Sequence, residues 1–289
     1  MLLTWAICFW ICSKIESRTR FLLNPHRPVH FPKKSNPRFD RETPDVVYGK
    51  NSVTELLRAK RRRVLEISVA RVPERASATS EAWSTLANEH RVPLRVCEER
   101  ELERLAGSTH HQGVVARVAP YIFADFEKTL TGLGNKALLV ILDCVQDPQN
   151  FGTLCRSALA FGADAIILPK DRSVSVTPTV CKASAGAVEH LNIIQVGNLV
   201  IAMHKLKEAG YWIYGAHLDL ATTTLAELDP AGRSVLVLGS EGRGLRELVA
   251  KTCDVLFKIP MAVDFDSLNV AQAGTVCLYE MARKVGKVS

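Results

Sequence analysis

The chain has 289 residues and is 47% apolar and 23% charged, with 37 Lys and Arg residues against 30 Asp and Glu. This composition is that of a globular protein, and the length is above the size at which a single core usually stops growing, so two domains are expected. The absence of an apolar run of about twenty residues excludes a membrane-spanning helix. The formal net charge of +7 is compatible with a polyanionic partner but does not establish one.

The eight cysteines give no sign of a disulfide framework or a metal site. No two of them form a Cys-x-x-Cys pair, and most lie within apolar runs. This pattern indicates reduced, buried thiols in a reducing compartment, and no cluster has the spacing of zinc ligands. The positions are Cys8, Cys12, Cys97, Cys144, Cys155, Cys181, Cys253 and Cys277.

Residues 1–44 do not read as part of a folded domain. Residues 1–12 are apolar but too short to cross a bilayer. The positive charge of a signal peptide would precede such a stretch, whereas here it follows. The remainder, rich in Arg, Lys and Pro, is compatible with an organellar transit peptide, a start codon assigned too early, or a disordered arm. We expect a cytoplasmic protein, or a mitochondrial or plastid matrix protein if this segment is a transit peptide.

Residues 45–120 predict a small α/β domain. Ser52 and Glu55 have the Ser-x-x-Glu spacing of a capping box, which predicts the start of a helix. Its inward side chains are expected to be Val53, Leu56 and Leu57. The later elements are strands at 64–69, 94–96 and 114–118, a helix carrying Trp83, Leu86 and Ala87, and a helix at 99–105 that Gly107 ends. Residues 121–136, with Gly132 and Gly134, have the composition of a linker.

Two groups of residues in this domain are candidates for RNA contact. One is a basic run, which could bind phosphates or could be a solvated helix end where cations suit the dipole. The other follows the third helix, where a histidine pair without acidic partners is better explained by structure or RNA contact than by metal binding. The candidates are Lys60, Arg61, Arg62, Arg63, His111 and Gln112.

Residues 137–289 alternate strand and helix patterns, which predicts a mostly parallel α/β sheet. The predicted strands are 138–142, 165–168, 193–196, 212–215, 235–238 and 255–259, and the predicted helices lie at about 150–161, 177–187, 198–209, 244–251 and after 267. Ligands of such sheets bind at the carboxyl ends of the strands.

Polar or glycine-rich segments follow three of these strands. Asn150 stands at the start of a helix and Arg156 about two turns further on. Residues 239–244 hold three glycines, which let main chain approach a ligand, and also Glu241. Taken singly, Asn150 could be a helix cap, Arg156 a surface ion pair, and the loops ordinary connections. Their positions at strand ends favour a shared cleft.

Together the segments 147–162, 235–245 and 259–274 resemble the three motifs of the SpoU (TrmH-like) family of RNA ribose 2′-O-methyltransferases, over about residues 138–284. Residues 46–120, with Tyr48-Gly49 early and His111-Gln112-Gly113 late, resemble the L30e-like substrate-binding domain of one branch. That branch includes enzymes that methylate a guanosine of large-subunit (23S-type) rRNA, which is the function the resemblance implies.

The resemblance also implies a fold, a cofactor and a partner. The carboxyl-terminal domain would be an α/β methyltransferase domain containing a deep trefoil knot, a feature that proteins otherwise avoid. Its methyl donor would be S-adenosylmethionine, held largely by main chain, and the enzyme would be a homodimer packed through the knot region. By motif position the cofactor pocket would be lined by Gly239, Gly244, Ile259, Met261 and Leu268.

The implied reaction transfers a methyl group to a ribose hydroxyl, which must give up its proton during attack. The family's proposed base corresponds to Arg156, although a guanidinium is protonated at neutral pH and could instead bind phosphate and place the hydroxyl. By hypothesis, Asn150 and Asn269 orient Arg156 and the ribose, Glu241 fixes the arginine, and Ser267 shapes the cofactor loop. Alignment of the oxygen with the methyl carbon can supply ~7–11 kcal/mol.

Two departures from the motifs bear on the pocket. Val263 stands where the family usually has Gly, and residues 269–273 read Asn-Val-Ala-Gln-Ala rather than Asn-Val-Ser-Val-Ala. Three other readings stay open: a tRNA 2′-O-methyltransferase, a non-catalytic RNA-binding or ribosome-assembly protein, and, less compatible with the glycine spacing, a dinucleotide-binding oxidoreductase.

Overall fold

The structure is a computed structural model that describes residues 44–71, 77–230, 232–240, 242, 244–263 and 268–288. The amino-terminal part of this range forms a small α/β domain. Its elements are β1 (Asp45–Tyr48), α1 (Lys50–Ala59), β2 (Val64–Ala70), α2 (Ser77–Glu89), β3 (Leu94–Cys97), α3 (Glu99–Ala106) and β4 (Val114–Val118). The strand order is β1-β4-β2-β3. The predicted elements are confirmed, and Gly107 ends α3 in the left-handed conformation.

Helix α1 begins differently from the prediction. Its inward residues Val53, Leu56 and Leu57 are buried as expected, but the helix starts at Lys50 and is capped by Gly49, which has a φ of 95°. Ser52 and Glu55 therefore lie inside the helix, and the predicted capping box is wrong. The physical reason is that Gln112 Oε1 already accepts a hydrogen bond from the Lys50 main-chain N–H at 3.1 Å.

The segment 121–136 carries a short helix of its own, α4 (Phe126–Thr131). Asp125 caps this helix by accepting a hydrogen bond from Lys128 N–H at 2.9 Å. Ala124 N–H donates to the Ile193 carbonyl at 2.8 Å. The connection between the two domains is thus held against the larger sheet.

The carboxyl-terminal domain is built on a seven-stranded sheet. Its elements are β5 (Ala137–Leu142), α5 (Pro148–Ala160), β6 (Ala165–Pro169), α6 (Pro178–Ala183), β7 (Asn192–Val196), α7 (Leu199–Glu208), β8 (Trp212–Ala216), β9 (Thr223–Thr224), β10 (Arg233–Leu238), α8 (Glu247–Thr252), β11 (Val255–Lys258) and α9 (Val270–Val285). The order is β7-β6-β5-β10-β8-β11-β9, and the neighbouring strands run parallel.

The parallel sheet confirms the prediction, and the six strands begin and end within two residues of the predicted positions. Two helices differ. The one expected at 177–187 divides into α6 and a 3-10 turn at Ala187–Glu189, and the one expected at 244 begins at Glu247. The delay arises because Ser240 and Gly244 pair with each other through two main-chain hydrogen bonds, which closes a turn before the helix.

Both faces of the sheet are covered. Alternate residues of β5 pack on opposite sides, with Leu138, Val140 and Leu142 against α5 and α9, and Leu139 and Ile141 against α7 and α8. Burial on both faces explains the continuous apolar runs of these strands. None of the helices in the described ranges combines the length and apolar character that a bilayer crossing requires. The trefoil knot stays a prediction.

Candidate active site

A cavity of about 510 Å³ opens at the carboxyl ends of β10, β8 and β11. Among the described residues, its walls come from 216–219, 238–240, 242, 244, 257–259, 261, 268, 270 and 273. The five residues predicted to line a cofactor pocket all take part: Gly239, Gly244, Ile259, Met261 and Leu268. Their role in binding stays a prediction, but the structure brings them to one place.

Gly239 and Gly244 make one wall of this cavity out of bare main chain. A Cβ atom on Gly239 would lie 2.2 Å from the carbonyl carbon of Gly244, so no side chain fits there. Gly244 itself has a φ of 63°, which disfavours other residues. The opposite walls carry Ile259 and Leu268, while Asp219 adds a carboxylate.

These walls fit S-adenosylmethionine. The apolar side chains would cover the adenine, the exposed main chain would hydrogen-bond its polar edge, and Asp219 would accept hydrogen bonds from hydroxyl or ammonium groups. Val263, where the motif usually has Gly, is exposed and has a φ outside the left-handed region. The substitution therefore needs no strained backbone.

Two asparagines meet at the rim of the cavity. Asn269 lies between the lining residues Leu268 and Val270, and its Nδ2 donates to Asn150 Oδ1 at 3.1 Å. Its Oδ1 accepts from the main-chain N–H groups at the start of α9, which fixes the orientation of the amide. Asn150 is not the cap of α5, because Asp147 accepts the hydrogen bond from Asn150 N–H at 2.9 Å. Its side chain is thereby left to meet Asn269.

Arg156 does not join this pair within one chain. Its side chain is exposed and makes no hydrogen bond or ion pair with the residues that the structure describes. Arg156 follows Asn150 by six positions on α5. This places it about 9 Å further along the helix axis and rotated by about 240° around that axis. The hypothesis that the asparagines orient Arg156 therefore finds no contact here. Glu241 and Ser267 lie outside the described residues, and their roles stay predictions.

The structure removes two of the RNA-contact candidates. Arg62 is only 8% exposed and His111 only 2%, so neither side chain can reach an RNA ligand in this fold. Arg61 donates to the Leu191 carbonyl at 2.6 Å and to Asn192 Oδ1 at 2.7 Å. Lys60, Arg61, Arg63 and Gln112 are exposed, so they remain candidates.

Arg62 instead joins the two domains. Its guanidinium pairs across the domains with the buried carboxylate of Glu189 at 3.0 Å. Within its own domain it pairs with Asp45 at 2.6 Å and donates to the Ala119 carbonyl. Burial raises the pKa of Glu189, and the arginine opposes that rise. Ser52 Oγ adds a hydrogen bond of 3.0 Å to the Cys181 carbonyl. We call these contacts the domain seam.

Sequence reasoning missed the residues that follow β8. Residues 216–219 line the cavity although no motif marks them. The signal that could have found them is topological: β8 ends at the same edge as β10 and β11. In the described ranges, no group of three or more His, Cys, Asp or Glu side chains is placed to hold a metal ion.

A parallel sheet with a glycine-walled cavity at its carboxyl edge, preceded by a second α/β domain, is the architecture of a two-domain α/β protein that binds a small ligand. Residues 137–279 match the SpoU rRNA Methylase family, and residues 46–124 match the RNA 2′-O ribose methyltransferase substrate binding domain. The chain belongs to the SpoU rRNA methylase family. It is an RNA ribose 2′-O-methyltransferase that uses S-adenosylmethionine, as the motifs predicted.

Individual relatives agree with this assignment. The 23S rRNA (guanosine-2′-O-)-methyltransferase RlmB of Pseudomonas putida is 37% identical over 243 residues, which are 83% of this chain and 96% of that protein. A protein of Staphylococcus haemolyticus, attributed to the TrmH family tRNA/rRNA methyltransferases, is 40% identical over 201 residues, 68% of this chain and 80% of its own.

Solved structures share the fold. An RNA methyltransferase attributed to the TrmH family, from Porphyromonas gingivalis, has a TM-score of 0.68 at 29% identity and covers 84% of this chain and 91% of its own. The SpoU methyltransferase AviRb of Streptomyces viridochromogenes, in complex with AdoMet, has a TM-score of 0.71 at 23% identity, with coverage of 84% and 91%. The predicted α/β architecture, a substrate-binding domain followed by a methylase domain on a parallel sheet, is confirmed, and the knot stays a prediction.

Proposed function

We propose that this enzyme methylates the 2′-hydroxyl of a guanosine in large-subunit, 23S-type rRNA. The observation that carries the proposal is the substrate-binding domain and its fixed position on the methylase domain. The chain matches a named 23S rRNA guanosine methyltransferase over 96% of that protein, through both domains. Arg62 and Ser52 hold the first domain against the second, so an RNA bound to one is presented to the other.

The described residues divide the work as follows. When bound, S-adenosylmethionine supplies an electrophilic methyl group. The main chain at Gly239 and Gly244, with Ile259 and Leu268, would hold its adenosine. The amide pair of Asn150 and Asn269, at the rim, would hydrogen-bond the ribose and its attacking oxygen.

A homodimer would complete this site. Helices α5 and α9 pack side by side and present apolar side chains to solvent: Leu159 is 39% exposed, Val276 43% and Tyr279 48%. Such a group of exposed apolar residues favours a protein interface. Arg156 lies one turn before Leu159 on the same helix face, so this interface would hold Arg156 beside the partner subunit rather than beside its own asparagine pair.

The substrate is tested by mapping ribose methylation across large-subunit rRNA and tRNA in cells with and without the gene. Loss of one rRNA guanosine mark, restored by the wild-type gene and not by Asn269→Ala, supports the proposal. Loss of a tRNA mark instead keeps the reaction and replaces the substrate. An unchanged map, with no transfer to either RNA by the purified protein, rejects the proposal in favour of a non-catalytic role.

The dimer is tested by sedimentation and by mixing inactive variants. Tyr279→Glu should convert a dimer to monomers and abolish methylation. Mixed dimers of Arg156→Ala with Asn269→Ala should regain activity, because one of the two sites then combines an intact arginine with an intact asparagine from different subunits. Mixtures that stay inactive while mixed dimers form would contradict the placement of Arg156.

A further inference from the structure

Asp143 lies at the carboxyl end of β5 and is fully buried. Its N–H donates to the Leu238 carbonyl at 2.8 Å, immediately before the glycine-rich loop of residues 239–245. Its carboxylate accepts from Arg246, immediately after that loop: Oδ2 from the main-chain N–H at 2.8 Å and Oδ1 from Nε at 2.7 Å. One residue therefore binds both ends of the loop.

The same sheet uses a related arrangement twice at its opposite edge. Asp164 bonds both main-chain groups of Leu138, with Lys287 Nζ at 2.8 Å from its carboxylate. Asp254 bonds both main-chain groups of Ile213, with Lys207 Nζ at 2.8 Å. Each of these aspartates stands just before one strand and bonds a single residue of the neighbouring strand. Asp143 differs, because its two main-chain partners stand on either side of a loop.

The loop that Asp143 holds is part of the cofactor cavity. Gly239, Ser240 and Gly244 line the cavity, and the loop also carries Glu241. A segment with three glycines has a large conformational entropy when free. The carboxylate of Asp143 is fully buried, while the Arg246 side chain is 47% exposed. Charge-assisted hydrogen bonds to such a carboxylate restrict a flexible segment before any ligand arrives.

We propose that Asp143 and Arg246 are positioning residues that hold the glycine wall of the cavity, Gly239 and Gly244, in the arrangement that binds S-adenosylmethionine. The pair acts on the cofactor through the loop and not by contact. This inference rests on the proposed cofactor cavity. It adds a role for Asp143, to which the motif resemblance assigns none.

The test compares matched variants. Asp143→Asn and Arg246→Ala should weaken the binding of S-adenosylmethionine by about 10- to 100-fold, measured by titration calorimetry. The KM for the cofactor should rise with it, while the KM for RNA stays unchanged. Arg246→Lys keeps the charge and the main-chain hydrogen bond and should recover part of the affinity. Asp164→Asn and Asp254→Asn should lower the unfolding temperature without changing the Kd of the cofactor.

A second measurement needs no cofactor at all. Hydrogen exchange of the peptide containing residues 238–246 should be faster in cofactor-free Asp143→Asn and Arg246→Ala than in the wild type or the two control variants. Equal exchange, or a cofactor Kd in folded Arg246→Ala that matches the controls, would overturn the inference. A wild-type protein that binds no S-adenosylmethionine while showing the exchange difference would instead count against the proposed site.

Discussion

Two asparagines start helices of the methylase domain in the same way but at different places. Asn269 accepts hydrogen bonds from two main-chain N–H groups of α9, and Asn198 does the same for α7. Only Asn269 also bonds Asn150 at the rim of the cavity. Comparing Asn269 with Asn198 therefore separates the contribution of a helix cap to stability from the contribution of the Asn269 amide to the reaction.

We expect Asn269→Ala and Asn198→Ala each to lower the free energy of unfolding by about 0.5–2 kcal/mol, as the loss of a helix cap does. Only Asn269→Ala should lose methyl transfer, at saturating cofactor and RNA. Urea unfolding and a methylation assay with labelled cofactor measure the two effects. A comparable loss of activity in Asn198→Ala would mean that the capping of these helices, and not the amide at the rim, controls the rate.

Gly239 offers a second comparison at the level of one residue. In Gly239→Ala the new Cβ would lie 2.2 Å from the main chain of Gly244, whereas a Cβ on Gly197 meets nothing within 4 Å. We therefore expect Gly239→Ala to bind the cofactor at least tenfold more weakly, and Gly197→Ala to bind it like the wild type. Calorimetric titration distinguishes them. Equal affinities would show that the loop relaxes without disturbing the cavity.

The basic run shows that solvent exposure is harder to predict from the sequence than the chemical character of a segment. Four consecutive cations suggest a surface for phosphate, yet the carboxylate that pairs with Arg62 is Glu189, 127 positions away. No local pattern contains that partner. Conversely, the sequence was sufficient to assign Gly239, Ile259 and Leu268 to one pocket, because the family motifs that they match line a single pocket.

At the scale of elements, the strands were the most predictable parts of the fold. Each strand of a sheet covered on both faces is a short continuous apolar run, and β5, β6 and β10 are of this kind. Helix starts were less predictable, because main-chain groups near them bond to partners that local rules do not include. Gln112 bonds the main-chain N–H at the start of α1, and the turn between Ser240 and Gly244 delays α8. The order of the strands depends on contacts that periodicity does not encode.

The domain seam gives a prediction at this scale. Arg62→Ala leaves the carboxylate of Glu189 buried without its main partner, so we expect it to destabilise the protein by about 3–5 kcal/mol. Replacing both residues, as Arg62→Met with Glu189→Leu, should recover most of that stability, since apolar pairs of similar volume substitute well for buried ion pairs. Urea unfolding provides the measurement.

Arg63 is the matched control for the seam. It is the next residue of the basic run and is exposed, so Arg63→Ala should change stability by less than about 0.5 kcal/mol. If Arg63→Ala and Arg62→Ala are equally stable, then the buried network contributes nothing to holding the domains together.

At the scale of the whole molecule, the described cysteines are thiols that the fold protects. Burial raises the pKa of Cys253 and of Cys277 to about 12, and that of Cys155 and Cys181 well above its usual range. The reactive form of a thiol is the thiolate. At pH 8 we therefore expect iodoacetamide to modify the three fully buried thiols, Cys155, Cys181 and Cys277, only after unfolding.

Peptide mass spectrometry follows this reaction site by site. Cys144 is half-buried, and burial raises its pKa as well, but it is closer to solvent than the three buried thiols and should react before them. Rapid modification of Cys277 or Cys155 in the native protein would mean that α5 and α9 open readily, contrary to the packing described above.

The domain seam would also restrict which RNAs the enzyme can methylate. A substrate that touches both domains would meet two surfaces that the buried Arg62–Glu189 ion pair helps to hold in one arrangement. We therefore expect the enzyme to select its nucleotide by the distance of that nucleotide from a second feature of the folded RNA. Inserting one base pair between the two features would then spare binding to either surface alone and still move the target ribose out of reach.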